Sequence, residues 1–129
     1  MEGRYLGKHL IVEFYDCPRE KIDDIGFLEQ LLERSVIKAG GHIIGKIFHR
    51  FTPQGVTGIV AISESHVSVH TWPENGYMAL DVFTCGAEMD PWTVYRELLD
   101  NIKPGKVKVI ELNRGELCKA EQQVKFGKV

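Results

Sequence analysis

Apolar and polar positions along the chain follow two periods, one typical of strands and one typical of helices. Short runs rich in β-branched and aromatic residues, bounded by Pro, Gly, Asn or Asp, predict strands. These runs are residues 8–15, 42–51, 56–62, 67–71, 77–85 and 106–114. Apolar residues at helical spacing predict amphipathic helices over residues 25–39 and 91–101.

Residues suited to begin and end a helix flank both helical stretches. Asp23 or Asp24 suits the N-cap of the first helix, and Gly40-Gly41 suits its end. Asp90-Pro91 is an N-cap residue followed by proline at the first helical position, and Pro104-Gly105 ends that helix. The order β-α-β-β-β-β-α-β predicts an α+β fold, with one mainly antiparallel sheet and two helices on one of its faces.

The run 77–85 predicts how the two faces of this sheet differ, because alternate residues of a strand point to opposite faces. One face of this strand carries Tyr77, Ala79, Asp81, Phe83 and Cys85, and the other carries Met78, Leu80, Val82 and Thr84. We expect helices to cover the second face. The first face is too apolar to be simply solvated, which favours a homodimer packed sheet against sheet.

Composition limits the kinds of molecule that the protein is expected to bind. A chain of 129 residues suits one domain, 1–129, and a net charge of -2 leaves no basic surface for nucleic acid. No apolar run approaches the roughly 20 residues that cross a bilayer, and Glu13 and Asp16 lie where a signal peptide would be apolar. Three separated cysteines without a CxxC motif predict neither a disulfide framework nor a structural zinc site. We therefore expect a cytoplasmic protein with no nucleic-acid, membrane or metal partner.

Candidate chemistry is concentrated in the middle of the chain. Ser65, His70 and Cys85 offer a hydroxyl, an imidazole and a thiol that suit the roles of nucleophile, base and acid. They lie in residues 63–77, SESHVSVHTWPENGY, and residues 81–86, DVFTCG. On these residues the chain resembles the prokaryotic S-adenosylmethionine decarboxylase proenzymes, which depend on a pyruvoyl group.

The resemblance implies that the chain cleaves itself between Glu64 and Ser65, into a β chain of residues 1–64 and an α chain of residues 65–129. Ser65 would become the pyruvoyl group that forms a Schiff base with the substrate amine.

The resemblance also implies the remaining catalytic roles. His70 would be the proton acceptor in processing and Cys85 the proton donor in decarboxylation. Thr57 would support processing, at a position where the family often has serine.

For the substrate, S-adenosylmethionine, the resemblance implies a pocket with aromatic faces and a carboxylate. Phe51, Trp72 and Glu74 fit by type, with Glu74 on the ribose and Phe51 on the adenine or the sulfonium. The family is known for αββα dimers with active sites near the interface, and its product is the aminopropyl donor for spermidine synthesis. We therefore expect a homodimer of cleaved αβ protomers.

The spacing of Ser65 and His70 raises a geometric objection. They are an odd number of residues apart, so in one regular strand they point to opposite faces of the sheet. We therefore predict a bend or bulge near Ser65–His66, or a strand that begins only after the cleavage point.

Two alternative functions stay open on the sequence. His66, Ser68 and His70 share one strand face, and with Cys85 on the next strand the two histidines offer three of the four ligands of a zinc site, so the alternative is a metal-binding or ligand-binding protein that is not an enzyme. Within the enzyme class, the alternative is a pyruvoyl decarboxylase of the same fold that acts on another amine, such as arginine.

Overall fold

A six-stranded antiparallel sheet forms one layer of the protein. The computed structural model describes residues 5–63, 65–85 and 89–117. Its strands are β1 (Tyr5–Tyr15), β2 (Gly45–Arg50), β3 (Val56–Ile62), β4 (Ser65–Trp72), β5 (Tyr77–Cys85) and β6 (Lys106–Glu116). Their order across the sheet is β2-β3-β4-β5-β1-β6. This confirms the predicted α+β fold, and the strand order places β4 and β5 in the interior of the sheet.

The described residues form three α-helices, and the two longer ones begin where the sequence predicts. They are α1 (Arg19–Ile22), α2 (Ile25–Lys38) and α3 (Pro91–Ile102). Asp24 caps α2 by accepting a hydrogen bond from the Phe27 amide at 3.0 Å, and Asp90 caps α3 by accepting from the Trp92 amide at 3.2 Å. None of the helices in the described part of the chain is long and apolar enough to cross a membrane.

Two short elements were not predicted, namely α1 and a 3₁₀ turn at Pro73–Asn75. Four and three residues are too few to show a helical period in the sequence. The 3₁₀ turn lies inside the predicted break between β4 and β5, and Gly76 ends it with a left-handed φ of 61°.

The core lies between the sheet and the helices. In β5 the buried residues are Met78, Leu80, Val82 and Thr84, so the predicted helix-covered face is confirmed. Side chains from α2 and α3 pack against that face. Those that are fully buried, with at most 1% exposure, are Leu28, Leu31, Leu32, Val36, Val94, Leu98 and Ile102.

The other face of the sheet, here called the open face, carries the odd-numbered residues of β5 and their cross-strand partners. In the described part of the chain no helix covers it. Several large apolar side chains are exposed there, including Ile47 at 70%. They are Ile47, Ile59, Trp72, Ile110 and Leu112. An apolar face of this kind marks an interaction surface.

Helix α2 offers a matched test of this packing. Leu32 is fully buried and Ile37 is 63% exposed. We expect Leu32→Ala to lower the free energy of unfolding by about 2–5 kcal/mol because it leaves a cavity in the core. Ile37→Ala should change it by less than about 0.5 kcal/mol. Urea denaturation at one fixed protein concentration measures both, and equal losses would contradict the assignment of the buried face.

Candidate active site

Two of the predicted site residues, Thr57 and His70, form a direct pair on the open face. They are register partners on the adjacent strands β3 and β4. The Thr57 hydroxyl lies 3.0 Å from Nδ1 of His70, within hydrogen-bonding distance. Both strands are paired on each side, so their backbones hold the hydroxyl against the imidazole.

A pocket of about 320 Å³ surrounds this pair. It brings together five residues that the sequence assigned to processing and substrate binding, here called the pocket cluster. They are Phe51, Thr57, His70, Trp72 and Glu74. Phe51 comes from the loop after β2, Glu74 from the 3₁₀ turn and the other three from β3 and β4. The pocket thus combines aromatic faces, an imidazole and a carboxylate.

Three further residues line the pocket that the sequence did not single out. They are Gln54, Gly55 and Thr71. The Thr71 hydroxyl accepts a hydrogen bond from the Val56 amide at 2.9 Å, which ties β4 to the start of β3. Gln54 and Gly55 read as turn residues in the sequence, and only the pairing of β3 with β4 shows that this turn borders the pocket.

An aromatic row supports one side of the pocket. The Trp72 ring lies 6.5 Å from the His70 ring and 5.4 Å from the Tyr77 ring, and Tyr77 stacks on Tyr15 at 5.5 Å. The Tyr77 hydroxyl donates a hydrogen bond to the Glu13 carboxylate. Burial, followed by this contact with Glu13, raises the pKa of Tyr77 well above its usual range. Tyr77 therefore stays a neutral donor at physiological pH.

The other two catalytic candidates form a second group, the Ser65–Cys85 pair. Ser65 is the first residue of β4 and Cys85 is the last residue of β5. The Ser65 hydroxyl accepts a hydrogen bond from the Cys85 backbone amide at 3.0 Å. Glu64, the other residue of the predicted cleavage bond, lies outside the described residues.

The structure does not bring Ser65 and His70 together within one chain. β4 keeps a regular register with β3 from Ser65 to His70, without a bulge. Five residues of strand span about 16 Å, and the pleat directs the two side chains to opposite faces. Of the predicted irregularities, the structure shows a strand that begins at Ser65, after Ser63 with a left-handed φ of 45°. That turn does not shorten the distance to His70.

A hydrogen-bonded network that no sequence pattern predicted lies on the open face between the two groups. Nδ1 of His9 lies 3.1 Å from the Arg114 guanidinium, and its Nε2 lies 3.0 Å from the Asp81 carboxylate. Because guanidinium only donates, the imidazole accepts from Arg114 and donates to Asp81. Beside this network, burial and the neighbouring His9 lower the pKa of His66.

The metal-site alternative lacks a set of ligands in this structure. Among residues 5–63, 65–85 and 89–117, no three His, Cys, Asp or Glu side chains converge closely enough to hold a metal ion. His66 and His70 share the open face, but Nδ1 of His70 is directed at Thr57.

Sequence and structure comparisons point to one family. The sequence model of the S-adenosylmethionine decarboxylase family matches residues 8–115. A Thermotoga maritima protein named S-adenosylmethionine decarboxylase proenzyme is 47% identical over 110 residues, which cover 85% of each chain. A protein of the same name from Moorella thermoacetica is 46% identical over 112 residues, covering 87% of this chain and 90% of its own.

A solved structure agrees with these sequence matches. The crystal structure of the adenosylmethionine decarboxylase from Aquifex aeolicus VF5 superposes with a TM-score of 0.85 at 30% identity. The match covers 93% of this chain and 99% of the Aquifex chain. The relatives are therefore similar to this chain over nearly their whole length.

The Tyr77–Glu13 contact predicts a specific dependence on alkaline pH. Tyr77→Phe should lower the free energy of unfolding by about 1–2 kcal/mol at neutral pH, through loss of a hydrogen bond to a carboxylate. A group whose pKa is higher in the folded than in the unfolded state stabilises the folded protein fully at pH values below its unfolded-state pKa. That stabilisation is lost as the pH rises from the unfolded-state pKa to the folded-state pKa. The difference between wild type and Tyr77→Phe should therefore be constant up to about pH 10 and shrink above it.

Urea denaturation at a series of pH values measures this difference. Tyr5→Phe, at the exposed start of β1, is the control for general alkaline effects. A difference that stayed constant to about pH 11 would contradict the raised pKa.

Proposed function

The chain belongs to the S-adenosylmethionine decarboxylase family, and from this we propose that it is a self-processing, pyruvoyl-dependent enzyme that decarboxylates S-adenosylmethionine. The observation that carries the proposal is the single pocket that contains Phe51, Trp72 and Glu74 around the Thr57–His70 pair. These side chains come from two separate segments, residues 51–57 and 70–74, which the pairing of β3 with β4 brings together.

The first reaction cleaves the chain. The Ser65 hydroxyl attacks the carbonyl carbon of Glu64, and the amide becomes an ester. A base then removes the proton from Cα of Ser65, the Glu64 carboxylate leaves, and dehydroalanine remains. Hydrolysis releases ammonia and leaves a pyruvoyl group at position 65. An imidazole is suited to this proton transfer near neutral pH, and His70, oriented by Thr57, is the proposed base.

The residues around position 65 fit such a group. Because β4 begins at Ser65, the new terminus lies at the end of a strand and next to Cys85. A pyruvoyl group supplies a ketone that binds a substrate amine and withdraws electrons as carbon dioxide leaves. A cysteine thiol carries its proton at neutral pH unless its surroundings lower its pKa, and Cys85 is the proposed donor to the substrate carbon.

The pocket cluster is the proposed substrate site. Phe51 and Trp72 offer ring faces for the adenine and the sulfonium, since a cation over an aromatic face gains roughly 0.5–2 kcal/mol. The Glu74 carboxylate is exposed at the 3₁₀ turn and can accept hydrogen bonds from both ribose hydroxyls.

Each complete active site requires two copies of the chain. The Ser65–Cys85 pair and the pocket cluster lie at opposite ends of β4, about 16 Å apart, too far for direct proton transfer. Cys85 shares the open face, and Ser65 lies beside it at the end of β4, so a homodimer packed through that face would place this pair opposite the partner's pocket cluster. The expected assembly is thus a dimer of cleaved αβ protomers with two shared sites.

Symmetry defines where the two copies meet. In a two-fold dimer, contacts are reciprocal. If the Ser65–Cys85 pair of each copy faces the pocket cluster of the other, the two-fold axis must pass midway between these two groups. On β4 and β5 that midpoint falls near the paired residues Ser68 and Asp81. Charges buried there need partners, and His9 with Arg114 already pairs the Asp81 carboxylate within each chain.

The proposed product is the aminopropyl donor for spermidine synthesis. The proposed location is the cytoplasm.

Mass spectrometry of the denatured protein tests the chemistry. We expect two fragments that meet at residues 64 and 65, the second blocked at its start and gaining the mass of S-adenosylmethionine or its product on reduction.

Ser65→Ala should remain uncut. Ser63→Gly, which suits the left-handed φ at that position, should be cut normally. Cys85→Ser should be cut but lose decarboxylation by about 10²-fold or more.

The outcomes separate the alternatives. A wild-type chain that stays uncut would overturn the pyruvoyl proposal. Turnover of arginine in place of S-adenosylmethionine would keep the cofactor and overturn the substrate.

Co-expression of two inactive variants with different tags tests the shared site. His70→Ala and Ser65→Ala chains should each stay uncut alone. In a mixed dimer, the His70→Ala chain keeps Ser65 and receives His70 from its partner, so that chain alone should be cut. Replacing the partner with the double variant Ser65→Ala/His70→Ala should abolish this cleavage. Absence of cleavage in a mixed dimer that has formed would contradict a site built from two protomers.

A further inference from the structure

One side of the substrate pocket is a loop of residues 51–55, which joins β2 to β3. Phe51, Gln54 and Gly55 of this loop line the pocket. The Phe51 amide donates to the Gly55 carbonyl at 2.8 Å, which closes the loop. Gly55 has a φ of 107°, and a Cβ there would lie 3.1 Å from the Thr71 carbonyl oxygen. The loop therefore has little freedom on the side of β4.

On its other side the loop is held by one carboxylate, that of Asp23. One oxygen accepts a hydrogen bond from the Gly55 amide at 2.9 Å, and the other accepts from the Arg50 guanidinium at 2.8 Å. The same guanidinium donates to the Asp23 carbonyl at 3.3 Å and to the Pro53 carbonyl at 3.4 Å. Asp23 thus binds the residue before the loop and the residue that ends it.

The segment that carries Asp23 also supports the opposite side of the pocket. Asp23 directly follows α1, and α1 packs against the 3₁₀ turn that bears Glu74. The Cys17 amide donates to the Gly76 carbonyl at 2.9 Å, and Lys21 donates to the Asn101 carbonyl of α3 at 2.8 Å. Residues 17–23 are therefore fixed to the body of the protein and to both sides of the pocket.

Electrostatics agree with this geometry. The backbone hydrogen bond from Gly55 is the main cause that lowers the pKa of Asp23; burial opposes it, and the hydrogen bond and charge of Arg50 add to the lowering. The carboxylate is therefore ionised at physiological pH, as both of its hydrogen bonds require. Asp24, the adjacent acidic residue, instead caps α2 and makes no contact of this kind.

We propose that Asp23 is a positioning residue for the substrate pocket, because its carboxylate holds the 51–55 loop and thereby places Phe51 and Gln54 against the substrate. This inference rests on the proposed function. Asp23 does not itself line the pocket, so it acts through the loop. The loop lies at the pocket end of the sheet, away from the Ser65–Cys85 pair. Loss of the Asp23 carboxylate should therefore weaken substrate binding more than it slows the chemical step.

The test compares Asp23→Ala, Asp23→Asn and Asp24→Ala in the full chain. Asp23→Ala should raise KM for S-adenosylmethionine about tenfold while kcat per cleaved chain stays within about twofold. Asp23→Asn keeps an oxygen acceptor for the Gly55 amide but loses the charge that pairs with Arg50, so it should restore part of the loss. Asp24→Ala removes the same charge one residue away and should lower thermal stability while leaving KM within about twofold.

Hydrogen exchange supplies a readout that does not depend on catalysis. The Gly55 amide should exchange at least about tenfold faster in Asp23→Ala than in wild type, and Asp24→Ala should leave it protected. An unchanged KM in Asp23→Ala, or an unchanged Gly55 exchange rate, would overturn the inference while wild-type turnover remained. A wild-type chain without turnover of S-adenosylmethionine would overturn the proposed function, and the inference with it.

Discussion

The pleat of β4 is the constraint on which the arrangement of the site depends. This strand is paired along its length on both sides, so neither its register nor the direction of its side chains can change without breaking two ladders. Ser65 at its start and His70 near its end are therefore held apart by the backbone itself. A site that uses both must be completed from outside the chain, and in the proposed dimer a second copy supplies the missing half through the apolar open face.

Strand pairing and side-chain contacts position different parts of the pocket. Thr57 and His70 meet because β3 and β4 are register partners, so their contact follows from the backbone ladder. The 51–55 loop has no ladder of its own, and a loop of this kind needs specific partners to stay ordered. Asp23 provides those partners from a segment that precedes the loop by nearly thirty residues. The proposed substrate contacts thus depend on both kinds of support.

Several ionisable groups on the open face are paired within the chain. Arg114, His9 and Asp81 form a continuous hydrogen-bonded series, and the Tyr77 hydroxyl binds Glu13. Unpaired charges are costly to remove from water, whereas paired and hydrogen-bonded ones are much less so. This pairing lets the face combine exposed apolar side chains with ionisable ones, as the proposed dimer requires.

Local sequence patterns were sufficient to predict most of the strands and helices and the types of residue in the site. Strands show a period of two residues and helices a period of 3.6, and Asp24, Asp90 and Gly76 mark where elements begin or end. All of these signals lie within a few residues of chain, so the strands, the longer helices and the covered face could be predicted. The resemblance in residues 63–86 supplied the proposed roles. The folded structure was needed to find the strand order, the pocket residues Gln54 and Thr71, and the division of the site into two groups. These features depend on pairings between distant segments, such as β1 with β5 and β6, for which a local pattern contains no signal.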